Sequence, residues 1–395
     1  MLTTKNLFPL TLSSCAPAYS AIVTAPVIVT LTGMWSIGVY LLAGALSWLV
    51  GQSFAENTAR DPERGTVYSW NRGAFAWLNG YALAATGIIA TSGLAYVASV
   101  GILSLWGVQN TWGALAISAV LIALAQVLNQ VSLKLTGLVQ VLSLLTHIAA
   151  AIALVVLMFV ADQAPVAHEL SVPNLLKALL IAVFAFWGFD TAFALAEESE
   201  PGAPRVASRL SIIFMSITFV LVAAVIALYG VDAVTLHPLV VVAVSLSAIM
   251  SLGSTLLPTI RGVESMAENH DLPNLFAHGL RAEVTTAVLA LVFIGLALIH
   301  EGFFYDMIDC LSLFVGFYYS GAICANYRAT QRTGQLILFI VMVAVTTGAG
   351  IYMLSPYYGN TVVGPISGVA VIAAVLAVVG VVLLGVNRAV NKNHA

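Results

Sequence analysis

Runs of about twenty apolar residues, each long enough for a helix to cross the hydrocarbon core of a bilayer, recur along the whole chain. They lie at 8–32, 36–56, 77–104, 112–130, 135–161, 173–198, 208–230, 238–262, 283–300, 306–326, 334–354 and 363–386. Short polar or Gly- and Pro-containing connectors separate them, and none is long enough for a soluble domain. Of the 395 residues 61% are hydrophobic and 8% charged, with a mean hydropathy of +1.01. A water-soluble domain carries about 25% charged residues, so the apolar surface of this chain has to face lipid. The expectation is an all-α polytopic membrane protein of twelve transmembrane helices, one domain over residues 1–395.

Charge sets the orientation. With the N-terminus inside, every Lys and Arg of the 14 except Lys177 falls on the cytoplasmic face, from Lys5 through Arg60, Arg64, Arg72 and Lys134 to Arg388 and Lys392. That asymmetry follows the positive-inside rule and predicts both termini in the cytoplasm, in a cell (inner) membrane. The first apolar run lacks the cleavage pattern of a secretory signal and reads as a retained span. A net charge of −3 without a basic cluster gives nucleic acid nothing to bind. Cys15, Cys310 and Cys324 form no CxxC pair and no metal spacing; Cys15 and Cys310 read as small apolar packing residues. The expected partners are the bilayer and a small solute, the chain being a monomer or weak dimer.

Two spans carry interruptions. The first contains SSCAPAYS (13–20), where Pro17 removes a backbone donor. The sixth contains FAFWGFD (184–190), where Gly188 stands between bulky aromatics and is followed shortly by an acid. Singly, either reads as an ordinary kink of a membrane helix. Together they open two successive five-span blocks, about 8–161 and 173–326, with helices 11–12 at about 334–386 beyond them. Odd span numbers make the blocks run in opposite directions. Inverted blocks with broken first helices place a binding site at the midplane, where amides at a half-helix N-terminus hold a carboxylate and freed carbonyls hold an ammonium.

The loops carry a resemblance. DPERGTVYSWNRGAFAWLNGY (61–81) resembles the P-x-x-G-G-x-Y-x-W-x-x-x-x-x-G pattern of the amino acid–polyamine–organocation (APC) superfamily. FAFWGFDTAFALAEESEPGAPRVASR (184–209) looks like that superfamily's sixth helix and following loop, and RGVESMAENHDLPNLFA (261–277) resembles its R-x-x-x-x-M-A-x-D-G-x-L-P-x-x-F motif. The resemblance implies a LeuT-like 5+5 inverted repeat and alternating access, with secondary active transport of amino acids, amines or related organic ions. It places the substrate at Ala16, Pro17, Tyr19, Ser20, Phe184, Trp187, Gly188 and Asp190. The chain departs from the family's glycine-rich first helix at Cys15–Ser20, which narrows the expected site, and has Arg64 before Gly65 where the family pairs two glycines.

Ionisable residues at membrane depth are functional by default. His147 lies near the middle of span five, where the resemblance to proton-coupled relatives implies a lysine that takes the place of sodium between helices one and eight. An imidazole does the same work with a pKa nearer neutrality. Proton coupling is therefore expected through His147, Ser251 and Ser254 on helix eight, and Asp190. The alternative for His147 is a buried neutral ring; for Asp190 it is a cap on the second half of helix six. Phe184 and Trp187 are either an aromatic gate or packing. Glu197 and Glu198 are expected to pair with Arg64 or Arg261, and Asp306, Asp309, His168, His237 and His300 to be wetted. The proton is the coupling ion, with sodium the alternative, and no cofactor or metal is implied. Without a nucleophile–His–acid cluster or phosphate loop the chain does not read as an enzyme. A sensor of the same fold without flux is the remaining alternative.

Overall fold

A segment that is apolar all round has no face to turn to water, and Gly, Pro or a polar turn marks most helix ends among the described residues. The structure is a computed structural model that describes residues 1–131, 140–142, 144–149, 152, 156, 170–230, 238–277, 279–356 and 358–392. Its helices in chain order are α1 (Thr4–Ser14), α2 (Pro17–Thr32), α3 (Ser36–Arg60), α4 (Gly73–Leu105), α5 (Thr111–Val131), α6 (Gln140–Ala149), α7 (Val172–Ala185) and α8 (Thr191–Ala194). There follow α9 (Ala203–Tyr229), α10 (Pro238–Glu268), α11 (Gly279–Ile299), α12 (Glu301–Thr330), α13 (Thr333–Met353) and α14 (Gly368–Lys392). A short antiparallel hairpin, β1 (Val362–Val363) with β2 (Ile366–Ser367), precedes α14.

Among the described residues, nine helical runs are long and apolar enough to cross a membrane. One of them, Thr4–Arg60, covers spans one and two of the sequence reading. The shorter α6 and α7 fall within spans five and six. Most of span five lies outside the described residues, as do Lys134, His168 and His237.

Both expected interruptions are present. The first run stops at Cys15 and restarts at Pro17, with Ala16 between them in the left-handed region (φ 46°, ψ 59°). Pro17 thus begins α2, at the position where a missing N–H costs a helix nothing. In the sixth run α7 ends at Ala185 and α8 begins at Thr191, and Gly188 between them has φ +110°, a conformation natural only to glycine.

The chain divides into two compact units, one of Met1–Gly51, Leu94–Ala192 and Gly202–Thr255, the other of Gln52–Gly93, Phe193–Pro201 and Leu256–Ala395. In the first, α1 and α2 both lie against α9, and α2 also packs on α7. In the second, α12 packs against α11, α13 and α14. Small residues let helices approach where lipid offers no hydrophobic drive between them. In the second unit a Cβ on Gly87 would fall 1.8 Å from Thr259 Oγ1, and one on Gly80 2.6 Å from Met266 Sδ. In the first unit a Cβ on Gly101 would sit 2.1 Å from Ser245 Oγ. Within the second unit the Gly80–Met266 and Gly87–Thr259 pairs share one antiparallel register, seven residues apart, as in near-antiparallel helix packing.

Asp306 corrects an expectation. Rather than wetted, it is fully buried. Its carboxylate accepts the N–H of Asn360 at 2.6 Å, the N–H of Thr361 at 3.0 Å and the side chains of both residues. It holds the turn before the hairpin in place. Asp309 and His300 are exposed, as expected.

The glycine at the sixth-run break gives a direct test. In Gly188→Ala the new methyl would lie 2.6 Å from Ser14 C and O and 2.7 Å from Cys15 N, at a backbone angle alanine disfavours. The expected cost is about 1–3 kcal/mol, read as a lowered melting temperature of the detergent-purified protein. An unchanged melting temperature would show that the two breaks are not pressed together.

Candidate functional site at the paired helix breaks

All residues expected to hold substrate or proton lie in the first unit, and the two breaks meet there. Gly188 lies against the Ser14–Cys15 backbone with no room for a side chain, and the Thr191 hydroxyl donates to Ser14 Oγ at 2.7 Å. Ala16, Pro17, Trp187, Gly188 and Asp190 are buried; Tyr19, Ser20 and Phe184 are half-buried. Locally the first break is held by Ser20, whose hydroxyl donates to Cys15 O at 2.8 Å while its N–H donates to Ala16 O at 2.8 Å. Cys15 is buried with Sγ 3.4 Å from Thr11 O, the packing role expected of it. The rings of Phe184 and Trp187 stack with centroids 6.3 Å apart and an interplanar angle of 9°. Asp190 immediately precedes α8 and is 7% exposed.

His147 is 2% exposed, and its Nε2 lies 2.7 Å from the hydroxyl of Ser247 on α10. The same hydroxyl accepts the backbone N–H of Tyr19 at 3.2 Å, in the first turn of α2. One side chain therefore joins the imidazole to a half-helix N-terminus, where the amides lack partners of their own. A turn further along α10, Met250 O accepts from Ser13 Oγ at 3.2 Å and from Gln140 Nε2 at 2.9 Å. Both ends of the first break and the α6 helix thus converge on residues 247–250.

The helix-eight partner differs from the expectation. Ser251 donates to Ser247 O at 2.6 Å and Ser254 to Ser251 O at 3.0 Å. Both serine hydroxyls are returned to their own helix, and the ring meets Ser247 instead. Ser247 lies one turn earlier, as an i−4 neighbour of Ser251. Sequence reasoning missed it, together with Ser14 and Thr191; the available signal was that Ser247 and Ser251 share one face of α10.

The second unit holds the expected ion pairs. Glu198 pairs with Arg261, and the Arg64 backbone N–H donates to Glu197 at 3.0 Å. Arg64 also pairs with Glu268 and, at 3.4 Å, with Glu264. Burial works against its charge, but the hydrogen bond to Glu268 and the nearby carboxylates of Glu268, Glu264 and Glu197 outweigh it and raise the guanidinium pKa further. Glu264 is the buried member: its other oxygen accepts the N–H of Gly279, the first residue of α11, at 2.8 Å, and Arg261 stands 3.8 Å away. Beside this cluster Tyr68 donates to Asp271 at 2.6 Å. Burial first, and then that hydrogen bond, hold its phenol well above the ordinary tyrosine range. Among the described residues no group of three His, Cys, Asp or Glu side chains is placed to hold a metal ion.

The two acids of this cluster are expected to behave differently. Glu264→Ala removes the buried carboxylate shared by two part-exposed arginines, which keep Glu268 and Glu198, and leaves a helix-start amide without its acceptor, an expected loss of about 1–3 kcal/mol. Glu268→Ala removes a half-exposed partner, worth about 0–1 kcal/mol. Melting temperatures of the two purified variants compare them, and equal shifts would refute the hub role of Glu264.

Comparison with known proteins bears on this geometry. No curated protein matches the chain. A point mutant of a manganese transporter from Eremococcus coleocola superposes with a TM-score of 0.59 at 12% identity, covering 100% of this chain and 94% of that one. The same organism's manganese transporter, in complex with an aromatic bis-isothiourea substituted compound, gives a TM-score of 0.58 at 11% identity, covering 99% and 95%. At such identities the likeness is one of fold. Residues 2–236, more than half of the sequence, match the family described as amino acid permease. The chain thus belongs to the amino acid permease family of the APC superfamily, and it is a multi-pass membrane transporter.

Proposed function

We propose that this permease carries small amino acids or related amines by alternating access, coupled to a proton held at His147. The observation that carries the reading is the single hydroxyl of Ser247 between His147 Nε2 and the Tyr19 N–H. A neutral ring with its proton on Nδ1 accepts the Ser247 O–H at Nε2. When Nε2 gains a proton the direction reverses: the new N–H donates to Ser247 Oγ, and the hydroxyl hydrogen turns elsewhere. The Tyr19 amide then shares its acceptor with a cation. In this reading the start of α2 feels the charge of α6 through one side chain, and the first break is held differently in the two states.

The donor set around the breaks suits an organic ion. It offers a helix start for a carboxylate, the Asp190 carboxylate for an ammonium, and the Phe184 and Trp187 rings as a lid. Manganese is the cargo named for the fold neighbours; hydroxyls, backbone amides and one carboxylate suit a zwitterion or amine better. The LeuT-like five-plus-five repeat, twelve spans and cytoplasmic termini in an inner membrane belong to the same proposal. They are supported by the two facing breaks and by the one-sided distribution of Lys and Arg. The Arg64, Arg261, Glu197, Glu198, Glu264 and Glu268 cluster then lies on the cytoplasmic side and helps close it.

Uptake of labelled amino acids and amines into proteoliposomes under imposed pH or sodium gradients tests this. Wild-type protein should accumulate solute on an inward proton gradient. His147→Ala should reduce accumulation to the level seen without a gradient while exchange persists, and His147→Lys should restore part of it. Ser247→Ala should weaken coupling with less effect on exchange. Sodium-driven accumulation indifferent to the pH gradient overturns proton coupling, and full concentrative uptake by His147→Ala removes the imidazole from the mechanism.

A further inference from the structure

Within the second unit, two cavities follow one another along the seam of α4 and α14, and their linings differ in kind. The first, about 340 Å³, is walled by Leu78, Tyr81, Phe314, Phe317, Ala373 and Ala377 among others, apolar apart from the Tyr81 hydroxyl. The second, about 330 Å³, includes Glu63, Asn71, Asn269, Asp271 and Arg388 in its lining. Ala373, Ala377 and Val381 of α14 line the apolar slot, and Leu384 and Arg388 line the polar one. Spacings of four, four, three and four residues put all five on one helix face. Arg388 lies seven residues beyond Val381, or about 10 Å along the axis.

On α4 the order agrees. Gly73, Ala76 and Trp77 belong to the polar cavity at the helix start, and Leu78, Tyr81 and Ala82 to the apolar slot just inside it. A common wall joins the two. Trp77 and Tyr81 stack at 5.5 Å and 7°, Trp77 Nε1 donates to Asp271 O at 3.0 Å, and Tyr81 donates to Leu376 O at 2.8 Å. Flanking the slot on α14, Val375, Val378, Val382 and Val386 are each more than half exposed. In a membrane protein that is surface for acyl chains.

We propose that this seam binds one phospholipid with an aminoethyl phosphate (ethanolamine) headgroup. An acyl chain fills the apolar slot, the phosphate meets Arg388, and the ammonium meets Glu63 with Asn269 and Asp271 beside it. The charge pattern selects the headgroup. A glycerol headgroup brings the phosphate but no cation for the acids. A choline headgroup brings a cation with no N–H to donate. The order of the cavities, polar at the helix ends and apolar within, is that of a lipid standing along the bilayer normal.

Native mass spectrometry of the full-length protein in detergent, with ethanolamine, glycerol and choline phospholipids of matched chains, tests the site. The ethanolamine lipid should be retained most strongly. Arg388→Ala, at an exposed position, should lower its retention about tenfold, as for loss of a charge-assisted contact. Ala377→Trp, which fills the slot, should lower retention of all three. Equal retention of the three headgroups, or stronger retention of the glycerol lipid, overturns the assignment. So does unchanged retention in Arg388→Ala, which decides the question even where Ala377→Trp does not fold.

Discussion

Gly188 packs directly against the Ser14–Cys15 backbone, and most of what is distinctive in the first unit follows from that crowding. Two helices can cross this closely only if one of them lacks a side chain at the contact, and the backbone there (φ +110°) is one only glycine takes easily. The crossing in turn gives the hydroxyls of Ser14 and Thr191 each other as partners. Neither break is then an isolated kink. The residues of both breaks are buried rather than turned to lipid, where unsatisfied amides are most costly.

Three buried ionisable side chains of this structure are held by quite different partners. Glu264 meets two arginines and an amide, Asp306 four donors from one turn, and His147 a hydroxyl. The three differ in what their partners permit. The acceptor sites of Asp306 face donors that cannot leave without unravelling a turn, and Glu264 is fixed by fully charged guanidiniums. Both are structural in character. Ser247 alone can either donate or accept, so His147 can change protonation without leaving an orphaned hydrogen bond. That property singles out the histidine as the titrating group of the proposed mechanism.

The sequence showed the helical class, the helix breaks and the pairing of Glu197 and Glu198 with Arg64 or Arg261, though not which acid meets which arginine, because each rests on local signals. Apolar run length sets a span, Pro17 and Gly188 set backbone geometry, and loop charges of opposite sign find one another. It did not show Ser247, Ser14 or Thr191 in their roles, because these depend on which turn of one helix meets which turn of another. An error of one turn in the facing register moves the partner from Ser247 to Ser251, and composition carries no information on that offset. Asp306 was misplaced for a related reason. The turn that caps it lies some fifty residues later in sequence, so proximity to a helix end suggested water where Asn360 and Thr361 stand.

Hydroxyl bookkeeping offers a way to recognise such sites in helical membrane proteins. The default for Ser or Thr inside a span is to return its proton to the carbonyl one turn back, and this chain does so repeatedly: Thr11 to Leu7, Thr86 to Ala82, Thr91 to Gly87, Ser211 to Ala207, Thr286 to Ala282, Ser320 to Gly316. Ser251 and Ser254 belong to this class. A hydroxyl paired to another chain segment instead has been recruited by tertiary structure. Ser13, Ser14, Thr191 and Ser247 are such hydroxyls, and all four lie at the two breaks or at the α10 turn that faces them. A few others, such as Ser99, Ser118 and Ser92, bond the carbonyl one turn back and also reach a neighbouring helix, tying the two together. What separates the break cluster from these is its company: an imidazole, an amide at a helix start and a glycine with no room for a side chain. Recruited hydroxyls next to backbone that has left the helix are what the proposed mechanism requires of a site that changes state.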